Sequence, residues 1–181
     1  MTASKDELRR LARSRKFSGD GTGIVQRILE HPWFLAAKTV MAYCAIAPEV
    51  DITPVLQRVL EQGKTLLLPR CEPDGIMTAR IVSSLGDLVP GAFGIMEPPT
   101  DSPVFSPESI DLILVPGLAF DRACHRLGRG KGYYDRFISS QKTMGICGCL
   151  LPEIPVEAHD KPMDAVMTEN EILYGLEETH V

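Results

Sequence analysis

Short apolar segments alternate along the 181-residue chain with amphipathic ones, which predicts strands separated by helices. The apolar segments Lys38–Cys44 and Thr65–Pro69 are typical of strands that a parallel sheet buries on both faces. Between them a helix is predicted from Thr53 to Gln62, with Pro54 in its first turn and Gly63 just after its end. This strand–helix–strand unit indicates an α/β fold with a right-handed crossover.

The rest of the chain continues this alternation. Strands are predicted at Gly75–Val82, Ile110–Pro116, Lys142–Cys147 and Asp164–Thr168, helices at 3–16, Ile24–Glu30 and Tyr133–Ser140, and irregular structure over 83–108. Asp164–Thr168 is predicted to be the last strand. Because no repeat or linker divides the chain, we expect one domain over residues 1–181. Its predicted fold is a three-layer α/β sandwich around a mostly parallel open sheet.

Composition and charge narrow the classes of function. The net charge of −5 argues against a nucleic-acid coat, which needs clustered lysine and arginine over a wide face. No apolar run is long enough to cross a bilayer, and residues 1–16 are basic and polar, unlike a secretory signal. We therefore expect a cytoplasmic protein, a monomer, that binds small molecules and neither nucleic acid nor membrane.

Five cysteines are present, and in a cytosol we expect them to stay reduced. Cys147 and Cys149 form a CxC pair that has the chemistry to bind a metal. No second cluster of cysteine or histidine completes a tetrahedral set in the sequence, so ordinary buried cysteines are the favoured interpretation.

The segment Arg126–Asp135, hereafter the glycine loop, carries the most chemical information. Gly128, Gly130 and Gly132 allow unusual backbone angles and leave room for a ligand, and the loop runs from a buried strand into a predicted helix. Three cations, Arg126, Arg129 and Lys131, alternate with these glycines, and their mutual repulsion is relieved by an anion such as a polyphosphate. The alternative is a tight turn whose glycines satisfy only the backbone.

Three side chains at the end of this loop have two interpretations each. Asp135 can hold Mg²⁺ against phosphates, or it can be an acid favoured by a helix start. Tyr133 and Tyr134 can stack on a heterocycle, or they can pack in the core and its rim. For His125, next to the loop, the sequence leaves a packing role and a ligand role equally open.

The chain resembles a known family, the 5-formyltetrahydrofolate cyclo-ligases, also called 5,10-methenyltetrahydrofolate synthetases. The segment DLILVPGLAFDRACHRLGRGKGYYDRFI is similar to theirs, and dispersed motifs match in order along essentially the whole chain. These motifs are Lys5-Asp-Glu-Leu8-Arg9, Glu49-Val50-Asp51, Gly63-Lys64 with Pro69-Arg70, Phe93-Gly94-Ile95-Met96-Glu97-Pro98, Leu151-Pro152, His159-Asp160, and Asp164 through Glu169.

The resemblance implies a fold like that of ribose-5-phosphate isomerase and CoA-transferase domains, and it implies roles for individual residues. Lys5 and Arg9 would reach the ATP phosphates from the first helix, whose charges otherwise suit a solvated face. The nucleotide would be wrapped by Arg126, Gly128, Arg129, Gly130, Lys131, Gly132, Tyr133 and Tyr134. Glu49 and Cys44 would contact the folate together with Arg129 through Tyr133, and Arg129, Lys131 and Tyr133 would be the catalytic residues. Asp135 and Asp164 would hold Mg²⁺, with the turn at His159-Asp160 presenting Asp164.

The implied activity is the ATP-dependent conversion of 5-formyltetrahydrofolate to 5,10-methenyltetrahydrofolate, with ADP and phosphate released. In the sequence, Ile52 stands where the family often has threonine, and Gly145–Cys149 lacks a phenylalanine and a glutamine that many members carry. That second difference motivates an alternative, a nucleotide- or folate-binding paralogue without turnover. A third hypothesis, a sugar-phosphate isomerase-like enzyme on the same fold, predicts no requirement for ATP.

Overall fold

A computed structural model describes residues 2–15, 17 and 19–176 of the chain. Its centre is an eight-stranded sheet in the order β12-β11-β10-β7-β1-β2-β3-β6. The strands are β1 Thr39–Met41, β2 Thr65–Cys71, β3 Met77–Val82, β4 Val89–Pro90, β5 Met96–Glu97, β6 Val104–Phe105, β7 Leu112–Val115, β8 Ala119–Phe120, β9 Arg126–Leu127, β10 Lys142–Ile146, β11 Ala165–Met167 and β12 Ile172–Tyr174. The α-helices are α1 Lys5–Ser14, α2 Thr22–Glu30, α3 Pro32–Ala36, α4 Thr53–Glu61 and α5 Tyr133–Phe137.

Five central strands of this sheet run parallel, from β11 through β10, β7 and β1 to β2. Antiparallel strands complete it, β12 at one edge and β3 with β6 at the other. The short pairs β4–β5 and β8–β9 form separate two-stranded ribbons. The predicted fold class, an α/β protein with a mostly parallel open sheet, is confirmed.

Both faces of the sheet are covered by apolar packing. On one face, Ile28 of α2, Phe34 of α3 and Val55 of α4 pack with alternate residues of the central strands. On the other face, residues of α5 and the segment after it, including Phe137 and Ile138, pack against Met41 and Ile113. Because both faces are buried, the strand β7 is apolar at each of its four positions, as its continuous hydrophobic sequence predicted.

The element boundaries differ from the predictions in ways that have physical reasons. The first helix ends at Ser14, and position 16, where its predicted end falls, lies outside the described residues. The α5 helix ends at Phe137 instead of Ser140, with extended backbone at Ile138. The Gly75–Val82 segment pairs antiparallel with β2 because a short turn joins them, which leaves no room for a crossover helix.

Asp164–Thr168 is not the last strand, which corrects the prediction. The segment forms β11, but the chain then turns back and β12 pairs antiparallel with it at the edge of the sheet. Among the described residues, no helix is both long enough and apolar enough to cross a membrane.

Candidate functional site

A pocket of about 710 Å³ opens beyond the carboxyl ends of β1, β2 and β7. This is the position at which parallel α/β sheets gather ligand-binding residues, because the loops that leave neighbouring strands converge there. The glycine loop forms one wall, the amino-terminal helix α1 lies across the rim, and residues 93–97 form the far side. Its volume suits a drug-sized ligand or a larger one that extends beyond it.

The glycine loop connects β9 to α5 through backbone conformations that need glycine. Gly130 has φ +99° and Gly132, at the start of α5, has φ +71°, so an L side chain would strain either position. A Cβ on Gly130 would stand 3.4 Å from Cζ of Arg9. The two glycines therefore fix the curvature of the loop and let the guanidinium of Arg9 approach its backbone.

Two arginines of the loop are held by acids and by carbonyl groups of neighbouring strands. Arg126 donates from Nη1 to the Pro116 carbonyl at 3.1 Å and from Nη2 to Asp135 at 3.4 Å. Arg129 donates from Nε to Glu49 at 3.2 Å and from Nη2 to the Ile46 carbonyl at 3.2 Å. These contacts fix both guanidinium groups at the pocket wall, whereas the Lys131 ammonium lies 5.6 Å from the ring centroid of Phe93.

The α1 helix brings two further cations to the same wall. Ser4 and Glu7 form a capping box at its start. Arg9 donates from Nε to the Gly128 carbonyl at 2.9 Å, which ties the helix to the glycine loop. Lys5 donates to Asp160 at 2.5 Å. We call the wall formed by Lys5, Arg9, Arg126, Arg129 and Lys131 the cationic lobe.

The opposite part of the pocket is mainly apolar. Met77, Phe93, Ile95 and Tyr133 line this part, which we call the apolar lobe. Phe93 is 60% exposed and has φ +59°, so its ring stands out at the pocket entrance. Flat faces and thioether atoms of this kind suit a planar heterocycle.

Burial shifts the pKa of two groups around the pocket. It raises the pKa of the Tyr134 hydroxyl above its ordinary range, and the charge of Glu49 adds to this effect. Burial also raises the pKa of the Cys44 thiol, with a further contribution from Asp51. Both groups are therefore neutral at physiological pH, which suits contact with a ligand and does not suit nucleophilic chemistry.

The structure brings together nearly all the residues that the sequence singled out. Lys5, Arg9, Cys44, Glu49, Arg126, Gly128, Arg129, Gly130, Lys131, Gly132, Tyr133, Tyr134 and Asp135 all line this pocket. They come from α1, from the turn after β1 and from the glycine loop. These three segments therefore share one pocket, and the role of each residue stays a prediction.

Asp164 is the exception, and the expected pairing with Asp135 is corrected. Its carboxylate accepts hydrogen bonds from the backbone N–H of Thr143 at 2.8 Å and from the Thr143 hydroxyl at 3.2 Å. It does not line the pocket, because it precedes β11 and therefore lies toward the amino ends of the parallel strands. In this structure Asp164 joins the start of β11 to β10 instead of facing the glycine loop.

The two histidines near predicted motifs differ in outcome, because His159 departs from its expected role and His125 takes one of its two. His159 lines the pocket, and its neighbour Asp160 pairs with Lys5, so this turn faces α1 instead of presenting Asp164. His125 contacts the buried Asp121, with 3.0 Å between Nδ1 and Oδ2, and does not line the pocket. Asp121 also accepts from the N–H of Ile154, which favours the packing role for His125.

Sequence reasoning missed several residues of the site. Glu97 lines the apolar lobe while only 3% exposed, and Glu157 lines the cationic lobe beside Asp160. Glu157, His159 and Asp160 form the one group of three metal-ligand side chains within the described part of the chain. The available signal was the family motif that contains Glu97, whose acid directly precedes a proline.

The segment Gly145–Cys149, which departs from the family pattern, packs away from the pocket. A Cβ on Gly145 would stand 2.4 Å from the ring of Phe120, so glycine is required there by core packing. Burial raises the pKa of Cys147 to about 12, as expected for an inert interior thiol. Residues 145–149 do not line the pocket, so their difference does not alter its surface.

Known proteins that are similar to this chain belong to the family that the sequence motifs indicated. Residues 3–169 match the model of the 5-formyltetrahydrofolate cyclo-ligase family. The 5-formyltetrahydrofolate cyclo-ligase of Mycolicibacterium smegmatis is 38% identical over 150 residues, which cover 74% of this chain and 75% of that one. A probable 5-formyltetrahydrofolate cyclo-ligase of Schizosaccharomyces pombe is 28% identical over 97% of this chain and 100% of its own length.

A solved structure extends the agreement to three dimensions. The NMR structure of Aquifex aeolicus 5,10-methenyltetrahydrofolate synthetase superimposes with a TM-score of 0.82 at 34% identity, covering 97% of each chain. Sequence motifs, pocket and whole-chain similarity therefore coincide over the same residues. On these grounds, the chain belongs to the 5-formyltetrahydrofolate cyclo-ligase family.

Proposed function

We propose that this protein converts 5-formyltetrahydrofolate to 5,10-methenyltetrahydrofolate at the expense of ATP, with ADP and phosphate released. The observation that carries the proposal is one pocket in which an apolar lobe and a cationic lobe meet at Arg129–Tyr133. A flat pterin suits the first lobe and a triphosphate suits the second. Their junction is where a phosphoryl group and a formyl group would have to meet.

The reaction needs an activated formyl group, because a formamide carbonyl is a poor electrophile. The formyl oxygen attacks the γ-phosphorus of ATP, the bond from that phosphorus to the β-bridging oxygen breaks, and ADP leaves. N10 of the folate then attacks the formyl carbon, loses its proton and closes the ring, while the carbon–oxygen bond breaks and phosphate departs. Such a sequence depends mainly on positioning and on stabilising moving negative charge.

The cationic lobe, together with Tyr133 where the two lobes meet, suits those two tasks. Arg129 and Lys131 would neutralise charge on the transferred phosphoryl group, and Tyr133 would orient the formyl group beside it. Lys5 and Arg9 would contact the other phosphates from α1. The existing contacts of Arg129 with Glu49 and with the Ile46 carbonyl support this role, because they hold the guanidinium in place before a ligand binds.

Mg²⁺ fits the site through Asp135. One oxygen of its carboxylate lies 3.4 Å from Arg126, which leaves acceptor capacity for a hard cation, and Mg²⁺ typically takes one or two carboxylates with waters and phosphate oxygens. When bound, the ion would neutralise phosphate charge and align the triphosphate. Asp164 is not assigned to it.

The test is formation of the methenyl product, followed by its absorbance, with 5-formyltetrahydrofolate in the presence and absence of Mg-ATP. We expect product only with Mg-ATP, and one phosphate released per product. Tight folate and nucleotide binding without product would instead support the binding paralogue. Turnover that does not need ATP would contradict the proposal.

The cytoplasmic location, the monomeric state and the single domain over residues 1–181 remain predictions, and positions 177–181 lie outside the described residues. Cell fractionation tests the first. Light scattering of the purified protein tests the second, and a single cooperative unfolding transition tests the third.

A further inference from the structure

Glu97 is a buried carboxylate on the wall of the apolar lobe. It ends β5, it is 3% exposed, and it still lines the pocket. The chain is shaped around it, because a Cβ on Gly91 would stand 2.3 Å from the Glu97 carboxylate. Burying a charged group without strong compensation is costly, so its presence here calls for a partner.

The protein supplies this carboxylate with few hydrogen bonds. Its Oε1 accepts from the N–H of Cys71 at 3.3 Å. Its Oε2 lies 3.7 Å from Nη1 of Arg70, which is beyond hydrogen-bond distance, and that nitrogen donates to the Pro98 carbonyl at 2.8 Å. Because two carboxylate oxygens have about four acceptor positions, these contacts leave acceptor capacity on Glu97, whose side chain lines the pocket.

The second carboxylate of this part of the pocket is occupied differently. Glu49 accepts from Nε of Arg129 at 3.2 Å through one oxygen and from the N–H of Ile46 at 3.1 Å through the other. Both of its oxygens are therefore engaged in holding the turn after β1 and the glycine loop. Of the two acids, Glu97 has the greater acceptor capacity for a ligand.

A reduced pterin presents a matching group. Its 2-amino group and the adjacent N3–H are two donors in one plane, on the side of the ring system remote from N5 and its formyl group. A carboxylate on the wall of the lobe accepts such a pair with both oxygens. With that edge at Glu97, the opposite side of the ring system, which carries N5 and its formyl group, would point away from Glu97, and the proposed function requires this side to face Arg129 and Lys131.

We propose that Glu97 binds the 2-amino and N3–H edge of the pterin and thereby sets the orientation of the substrate. This assignment rests on the proposed function and adds the group that recognises the ring. Met77 and Tyr133 line the same lobe and offer apolar contact to the ring. Glu49 then acts on the substrate through Arg129.

The test compares 5-formyltetrahydrofolate with its analogue that lacks the 2-amino group, in the wild type and in Glu97→Gln. The variant keeps the size of the side chain and replaces one acceptor with a donor. We expect the wild type to favour the natural substrate by about 10- to 100-fold in kcat/KM, as for loss of a hydrogen bond to a charged group. In the variant the ratio of kcat/KM between the natural substrate and the analogue should fall to about threefold or less, while KM for ATP stays unchanged.

Glu72→Gln is the matched control. Glu72 accepts from Arg80 at 2.7 Å, lies 4.0 Å from Nε of Arg70, and does not line the pocket. It therefore perturbs the same arginine network without touching a ligand, and we expect it to keep the full preference. Equal loss of preference in both variants would identify a structural effect and overturn the assignment.

Two further outcomes bear on the proposal independently of the variants. If the wild type uses the analogue as well as the natural substrate, Glu97 does not recognise the amino group and the assignment is wrong, although the proposed function stands. If the wild type does not convert 5-formyltetrahydrofolate with Mg-ATP, the proposed function fails and the assignment fails with it. Measuring the wild type first separates the two cases.

Discussion

In the cationic lobe, Lys5, Arg9, Arg126 and Arg129 pair with acids of the protein, whereas in the apolar lobe a buried acid keeps acceptor capacity. Lys5 pairs with Asp160 at 2.5 Å and Arg126 with Asp135 at 3.4 Å. Glu97, by contrast, has its closest cation at 3.7 Å. The first lobe can hold charge in place before a ligand arrives, and the second leaves a polar position for the ligand to complete. The difference predicts that mutations in the first lobe mainly affect turnover and those in the second mainly affect recognition.

The largest expected effect comes from removing charge at the centre of the cationic lobe. In Lys131→Ala or Asp135→Ala we expect kcat to fall by about 10²- to 10³-fold, because the first loses a cation that stabilises transferred negative charge and the second loses the carboxylate proposed to hold Mg²⁺. Steady-state kinetics with the folate saturating, and circular dichroism to verify the fold, measure this. Lys142→Ala, whose ammonium lies over Trp33 outside the pocket, is the matched control and should keep wild-type activity. Normal kcat in both pocket variants would refute the prediction that mutations in the cationic lobe mainly affect turnover.

The next largest effect tests the acid that joins the lobes. Glu49→Ala removes the partner of Arg129, and we expect KM for the folate to rise by about tenfold, as for loss of a charge-assisted hydrogen bond. KM for ATP should change less. Glu61→Ala, in an exposed position on α4, is a control of the same chemistry and should leave both constants unchanged. An unaltered KM for the folate would contradict a role for Glu49 through Arg129.

A smaller effect separates backbone strain from ligand contact. Gly130 has φ +99° and Gly63, after α4, has φ +70°, so alanine at either position should cost about 1 kcal/mol of stability. Only Gly130 lies in the pocket. We therefore expect both variants to unfold at lower urea concentration, and Gly130→Ala alone to bind ATP more weakly in titration calorimetry. Equal ATP affinity in the two variants would contradict the proposal that the glycine loop binds the nucleotide.

The smallest effect concerns the ion pair between α1 and the turn at Asp160. Burial acts to raise the pKa of Asp160, but hydrogen bonds from Lys5 and from the N–H of Glu157 lower it below its ordinary value. Burial likewise acts to lower the pKa of Lys5, but its hydrogen bonds with Asp160 and Glu157 raise it above its ordinary value. The pair therefore stabilises the fold fully between about pH 4 and pH 10, and this contribution is lost as pH falls or rises beyond those limits.

Asp160→Asn tests this pair by urea unfolding at several pH values. At pH 7 we expect a loss of about 0.5 kcal/mol, because a partly exposed pair is screened by solvent. The difference should shrink as pH falls through the lowered pKa of Asp160, because the wild type then loses the charge of this pair. A difference that is the same at pH 7 and at the lowest pH at which both proteins stay folded would show that packing, and not charge, accounts for it.

The pattern of apolar strands in the sequence was sufficient to predict both the parallel core and much of the site. The strands β1, β2 and β7 are short apolar runs, and residues that directly follow such strands gather at one edge of a parallel sheet. Cys44 and Glu49 follow β1, so their presence in the pocket could be anticipated. Asp164 precedes β11, which should have placed it toward the opposite edge.

Other features could not be predicted because they depend on long-range packing. The five-residue helix α3 and the edge strand β12 are too short for a periodic pattern to identify them. Glu97 belongs to a recognisable motif, but nothing in the sequence indicated that it is buried. Its burial arises only when residues 91–97 fold back against β2. The pairing of Lys5 with Asp160 joins positions 155 residues apart, and nothing local to either one indicates it.

The attachment of α1 has a consequence for how nucleotide binding can be observed. Ala12 is its one buried residue within the described part of the chain, and polar contacts from Lys5 and Arg9 provide much of the rest of its anchorage. A helix held in this way opens locally far more often than the central sheet does. If nucleotide phosphates engage the same two side chains, amide hydrogen exchange in α1 will slow on addition of ATP while exchange in β7 stays the same. The first helix would then act as a gauge of nucleotide occupancy that is built into the chain.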